Sequence, residues 1–251
     1  MNQNNTRPSI TIGQPALDLS FSSRSIYGKF SLILLVFIFV TLIPHYGEIS
    51  SSTTFVSAQF IAHGILYLGW YILFAVQSHL SSARNVALHK KLGYISLLLV
   101  GALIFSGIDM LLGVMKGYDS TWSAGYLASR TSFVWAILHT LLSFVAFYTL
   151  GIVFRKKLHF HKRFMVMASL SMISASVTRV AFLPIVPVDG MAVTLLSTYA
   201  LLLAPVIIDR IIFGSVHPVL KWSVPIYIIT QIICIGVIPN TEVGRAIAFP
   251  F

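Results

Sequence analysis

Four histidines in this chain have the type and spacing of a scaffold for metal or cofactor binding. His63 precedes His89 by 26 residues, and His139 precedes His161 by 22. The first of each pair sits inside an apolar run. The second opens the next run and is followed by two basic residues, as Leu-His-Lys-Lys-Leu at 88–92 and Phe-His-Lys-Arg-Phe at 160–164. A neutral imidazole offers one ring nitrogen to a metal, and two such ligands make a low-spin, electron-carrying haem. Imidazole in the bilayer interior is costly, so function is its default explanation.

Further polar residues interrupt the apolar runs. Asp109 and Arg179 both fall in the outer halves of their runs, where a salt bridge is the simplest expectation. The alternative is that Arg179 holds an anionic group, a haem propionate or a substrate carboxylate, with Ser106 and Thr178 assisting. Asp209 closes a later run, shortly before Gly214 and His217-Pro218. With His89, His161 and His217, Asp209 has the ligand types of a zinc or iron site; supporting a histidine through a hydrogen bond is an equal role for it. An ordinary helix end with Gly214 explains the same residues without a ligand. His45, His79 and His159 read as interfacial residues.

Composition defines the elements that must carry these residues. The chain has 251 residues, 57% hydrophobic and 10% charged. A soluble domain holds about 25% charged residues, so the class is all-α and polytopic, in a lipid bilayer. Seven runs are long enough to span: 28–45, 56–78, 91–114, 132–154, 163–184, 192–213 and 222–239. They predict a polar N-terminal tail over 1–26, a transmembrane domain over 27–240 and a short tail over 241–251. With the N-terminus inside, 13 lysines and arginines fall in inner segments and 3 in outer ones. That bias predicts a cytoplasmic N-terminus and an outer C-terminus. The net charge of +10 is spread over these loops, which argues against nucleic-acid binding. The single Cys234 excludes an internal disulfide or a CxxC motif.

On this topology His63 and His139 each lie seven residues into their runs, roughly 10 Å below one edge of the hydrocarbon. They are expected to face each other there. His89 and His161 are expected to face each other at the inner boundary, roughly 20 Å away. The runs holding His63 and His89 resemble those holding His139 and His161, a weak internal repeat. Pro184, Pro187, Asp189 and Gly190 mark the turn after the fifth run. An outer loop over 115–131, with Tyr118, Asp119, Trp122 and Tyr126, suits the membrane interface.

Two resemblances rest on these residues. The stretch from about 60 to 218 resembles an uncharacterised group of bacterial integral membrane proteins. The match is carried by His63 with Trp70 and Gln77, Leu88-His89-Lys90-Lys91-Leu92-Gly93, His161-Lys162-Arg163-Phe164-Met165, Arg179, and Asp209 with Gly214 and Val216-His217-Pro218. The four-histidine core is similar to the ascorbate-reducible di-haem cytochrome b family and its ferric-reductase relatives. That resemblance implies His63 with His139, and His89 with His161, as axial pairs for one or two haem b groups. It also implies transmembrane electron transfer. With the first group's bacterial setting, the expected location is the bacterial cytoplasmic membrane, and the expected partner is a quinone or small reductant. The chain departs from that family in having seven spans rather than six and in placing His89 and His161 closer to the helix starts. Two other readings stay open: a zinc or iron enzyme site at the inner face, and a transporter or accessory subunit whose histidines are structural. The zinc-dependent seven-helix hydrolases are disfavoured, because the last run lacks their His-x-x-x-His pair.

Overall fold

The computed structural model describes the backbone of residues 19–50, 57–183 and 185–250, and the side chains of 26–43, 57–183 and 185–250. These residues are helical, without strands. The helices are α1 (Leu19–Ser50), α2 (Ala58–Ser82), α3 (Val86–Lys116), α4 (Ala124–Val153), α5 (Leu158–Ser171), α6 (Ser174–Ala181), α7 (Gly190–Phe213), α8 (Pro218–Ile232) and α9 (Glu242–Ala248). After α8 the chain winds on through a π turn over Ile233–Val237 and a 3-10 turn over Ile238–Asn240. Among the described residues seven spans are long and apolar enough to cross a membrane, α5 and α6 together forming the fifth. Leu98, Phe105 and Leu196 stand at least 70% exposed within their spans, as side chains that face lipid do.

Capping explains where the helices exceed the sequence expectation. The side chain of Asn85 accepts from the Leu88 N–H, so α3 begins before the expected 91. Ser123 accepts from the Tyr126 N–H, so α4 begins at Ala124 and absorbs the second half of the expected 115–131 loop. Asp189 caps α7 through the Ala192 N–H. The C-terminal segment is not merely a tail. Thr241 caps α9, and the Trp135 indole donates to the Gly244 carbonyl at 2.9 Å. A Cβ at position 244 would collide with the Ile238 carbonyl, so only glycine admits this close return. The N-terminal tail expected over 1–26 lies largely outside the described residues, as do Pro184 and the side chain of His45.

The core is organised around the fifth span, two-thirds buried, against less than half for every other span. It breaks between Ser171 and Ser174, where the Ser169 and Met172 carbonyls keep backbone bonds of 3.4 and 3.2 Å from the Met172 and Ala175 N–H groups in a medium without water. Tyrosines from neighbouring helices add donors there. Tyr71 donates to the Ser169 carbonyl at 2.7 Å, Tyr67 to Met172 at 3.1 Å and Tyr227 to Ser171 at 3.0 Å. The aromatic residues of α2 thus bond the fifth span as well as pack against it.

At one end of the bundle lie the α2–α3, α4–α5 and α7–α8 turns, with Arg84, Lys90, Lys91, Arg155, Lys156, Lys157, Arg210 and Lys221. A buried ion pair ties this basic end together. Arg163 on α5 grips Asp209 on α7 through Nε at 2.7 Å and Nη2 at 2.6 Å. Tyr27 of α1 donates to the same carboxylate at 2.7 Å, and the His217 backbone N–H at 3.0 Å. Asp209 is fully buried, and its charge is met by one cation and two further donors.

A candidate two-histidine site at the basic end

His89 and His161 occupy equivalent places in two helix hairpins. Each is the fourth residue of its helix, α3 from Val86 and α5 from Leu158. Each ring reaches back to the end of the preceding helix. His89 Nδ1 lies 3.3 Å from the Gln77 carbonyl of α2, and His161 Nδ1 lies 2.8 Å from the Gly151 carbonyl of α4. Gln77 returns the contact, its Nε2 donating to the His89 carbonyl at 3.1 Å. A carbonyl only accepts, so both Nδ1 atoms carry the proton and both Nε2 atoms keep a free lone pair. Among the described residues neither Nε2 has a hydrogen-bond partner. The two rings meet edge to face with centroids 6.2 Å apart.

His63 and His139 are not brought together. On their own helices they stand at different depths, because α4 starts eight residues before the expected 132. His63 is the sixth residue of α2 and His139 the sixteenth of α4. The His63 ring turns to α3, with Nδ1 2.9 Å from Ser106 Oγ. Ser106 gives its own proton to the Leu103 carbonyl, so His63 is the donor. His139, 5% exposed, turns to α8, with Nε2 2.9 Å from Thr230 Oγ1 and its ring edge-on to Tyr227 at 4.8 Å. Thr230 donates to the Ile226 carbonyl, so His139 Nε2 carries the proton. Its buried Nδ1 is left without a partner. No ring contact links His63 to His139 among the described residues.

The inner cluster of His89, His161, His217 and Asp209 is not assembled as a metal site. Both Asp209 oxygens are engaged by Arg163, with Tyr27 and the His217 backbone completing the shell. His217 is the N-cap of α8, its Nδ1 accepting from the Val219 N–H at 3.2 Å, and its ring stands edge-on to Phe160 at 4.7 Å. Burial, with the Arg163 charge next, holds the His217 imidazole below its usual pKa and keeps it a neutral acceptor. Among the described residues no three His, Cys, Asp or Glu side chains converge.

The expected Asp109–Arg179 salt bridge is absent too. Arg179 donates to the Ala175 carbonyl of its own helix at 2.6 Å, and the described ion pair is Arg163–Asp209. Arg179 stands 18 residues beyond His161 in the same span, about 27 Å along the helix axis. It is therefore too remote to hold a group bound at His161. His79 donates to its own helix at the Ala75 carbonyl, 2.8 Å away, and His159 is exposed.

Sequence reasoning missed the partners rather than the histidines. Arg163 read as one more inner-loop cation, and its pairing with Asp209 spans 46 residues. Gln77 belongs to the pattern that carries the first resemblance, but the Gly151 carbonyl carries no side-chain signal. No family model, curated protein or solved structure matches this chain.

Proposed function

We propose that this chain is a haem-binding electron-transfer protein of the bacterial cytoplasmic membrane, with its basic end and N-terminus on the cytoplasmic side and His89 and His161 as the residues that would hold the haem. The observation that supports this reading is the paired Nδ1 tether, which presents two free Nε2 atoms from adjoining hairpins. Hydrogen bonding of the far ring nitrogen to a backbone carbonyl is the usual support for a ligating histidine. The spacing fits as well. Two imidazoles sharing one ion at about 2.0–2.1 Å per bond have centroids roughly 5–6.5 Å apart, and these stand at 6.2 Å.

The donor set favours haem over zinc. Zinc requires three or four protein ligands, and only two histidines meet here. Haem iron takes its four equatorial nitrogens from the porphyrin and asks the protein for two. When bound, haem b supplies one-electron transfer; the chain's own residues fix the tautomers and ring positions. A membrane quinone or a small soluble reductant is the partner this reading calls for. One site replaces the two expected, since the His63 and His139 rings turn to different helices.

A second reading has its own support in the same geometry. The two tethers would then be hairpin staples in a transporter or accessory subunit, with no cofactor. One absorbance spectrum separates the two. Protein purified from haem-replete cells should show a Soret band that shifts on dithionite reduction. His89→Ala and His161→Ala should lose it, and His63→Phe and His139→Phe should keep it. A folded but colourless preparation sinks the haem reading and leaves the staples.

A further inference from the structure

We infer that the groove between α4 and α8 binds one acyl chain of an anionic phospholipid whose headgroup lies among the lysines of the basic end. The groove is one channel in two parts. Cavities of about 450 and 330 Å³ share Ser143, Ala146 and Thr230 in their walls. It opens sideways, and its walls at the basic end are Phe147, Leu150, Phe160, Phe164 and Trp222. From Pro218 to Cys234 it follows 16 residues, about 24 Å of helix. That exceeds the roughly 15 Å of hydrocarbon in one leaflet, so a whole acyl chain can lie along it.

Charge at the mouth selects the headgroup. Lys157 Nζ stands 5.7 Å from the centroid of Phe160, itself a wall of the groove. Lys156 and Arg155 are exposed in the same turn, and Lys221 is exposed in the first turn of α8. Among the described residues Asp209 is the one carboxylate at this end, and it is buried against Arg163. The basic side chains at the mouth therefore have no described acidic partner. Trp222, 71% exposed beside them, has the amphipathic ring that settles at headgroup level. A long apolar groove ending in uncompensated cations matches a lipid that is apolar along its chain and negative at its head. The site does not depend on His89 or His161.

The test uses the full chain purified in non-ionic detergent. Phosphatidylglycerol and phosphatidylcholine with the same acyl chains are titrated in, and binding is read by native mass spectrometry alongside thermal unfolding. Phosphatidylglycerol should be retained in preference and should raise the unfolding midpoint. Lys157→Gln, a change at an exposed side chain, should weaken its binding about fivefold, the ratio expected of one lysine near an anionic headgroup. Ala146→Phe fills the groove and should abolish the preference, while Leu98→Phe on the lipid-facing side of α3 should leave it intact. Equal retention of the two lipids overturns the inference, as does an unchanged response in Lys157→Gln. Should Ala146→Phe fail to fold, the Lys157→Gln titration decides alone.

Discussion

His89 and His161 hold equivalent positions in two hairpins, and each donates through Nδ1 to the helix before it. His63 and His139 began as an equally regular pair, yet one donates to a serine on α3 and the other to a threonine on α8. The difference lies in what surrounds each ring. Close to a short turn, the returning helix must pass its partner, so a residue in its first turn meets the carbonyls at the partner's end. A similar tether recurs in both hairpins, across 12 and 10 residues, because the turns are short, 83–85 and 154–157. Deeper in the bundle the neighbour is set by helix packing, which is not repeated between the halves. Local repetition therefore protects a geometry near a turn and does little for one in mid-span.

The largest test of this contrast strikes the support of the basic end. Asp209→Asn leaves Arg163 buried without its counter-charge, and stability should fall by about 3–5 kcal/mol. Replacing both partners, Arg163→Met with Asp209→Leu, should recover most of that loss. Unfolding by heat or denaturant in detergent reads both. A double variant as unstable as the single would mean that the pair is not the tie described.

Next in size is the broken fifth span. Tyr71→Phe removes the side-chain donor to the Ser169 carbonyl, which then keeps the 3.4 Å bond from the Met172 N–H, and should lower stability by about 1–1.5 kcal/mol, the worth of one hydrogen bond. His161→Ala should cost about 1 kcal/mol for the lost tether, in addition to any cofactor.

A smaller effect depends on pH. The folded state holds the His217 pKa below its unfolded value of about 6.5. The unfolded chain therefore takes up the proton first as pH falls. The contribution of the α8 cap is fully present above about 6.5 and is lost as pH drops through the lower folded value. Thermal midpoints should decline over that window, and His217→Asn, which keeps a capping oxygen, should flatten the decline. A decline of the same size in His217→Asn would assign the titration elsewhere.

The smallest effect is expected at the other pair. His139 already carries a buried nitrogen without a partner, so His139→Leu should change stability by less than about 1 kcal/mol. A loss larger than that of His161→Ala would reverse the order of the two pairs.

Much of the architecture is legible in the residue order. Hydrophobic runs of spanning length report the seven helices because a bilayer demands about 20 apolar residues and internal hydrogen bonds, whatever the packing. The placement of His89 and His161 at helix starts is legible too, since turn and helix are neighbours in sequence. Helix starts were harder to read: Ser123 caps α4 from within a segment that looked like a loop.

Which rings meet was decided by tertiary structure alone. Asp209 looked like a metal ligand until Arg163, Tyr27 and the His217 backbone filled both its oxygens. Arg179 looks like the partner of Asp109 in the sequence, but its guanidinium bonds the Ala175 carbonyl of its own helix. Residue type reports what a side chain can donate or accept. Its partner depends on helix rotation and on contacts between distant parts of the chain, such as the 182 residues between Tyr27 and Asp209. Hydropathy is a property of single segments, whereas pairing in the interior is a property of the assembled bundle.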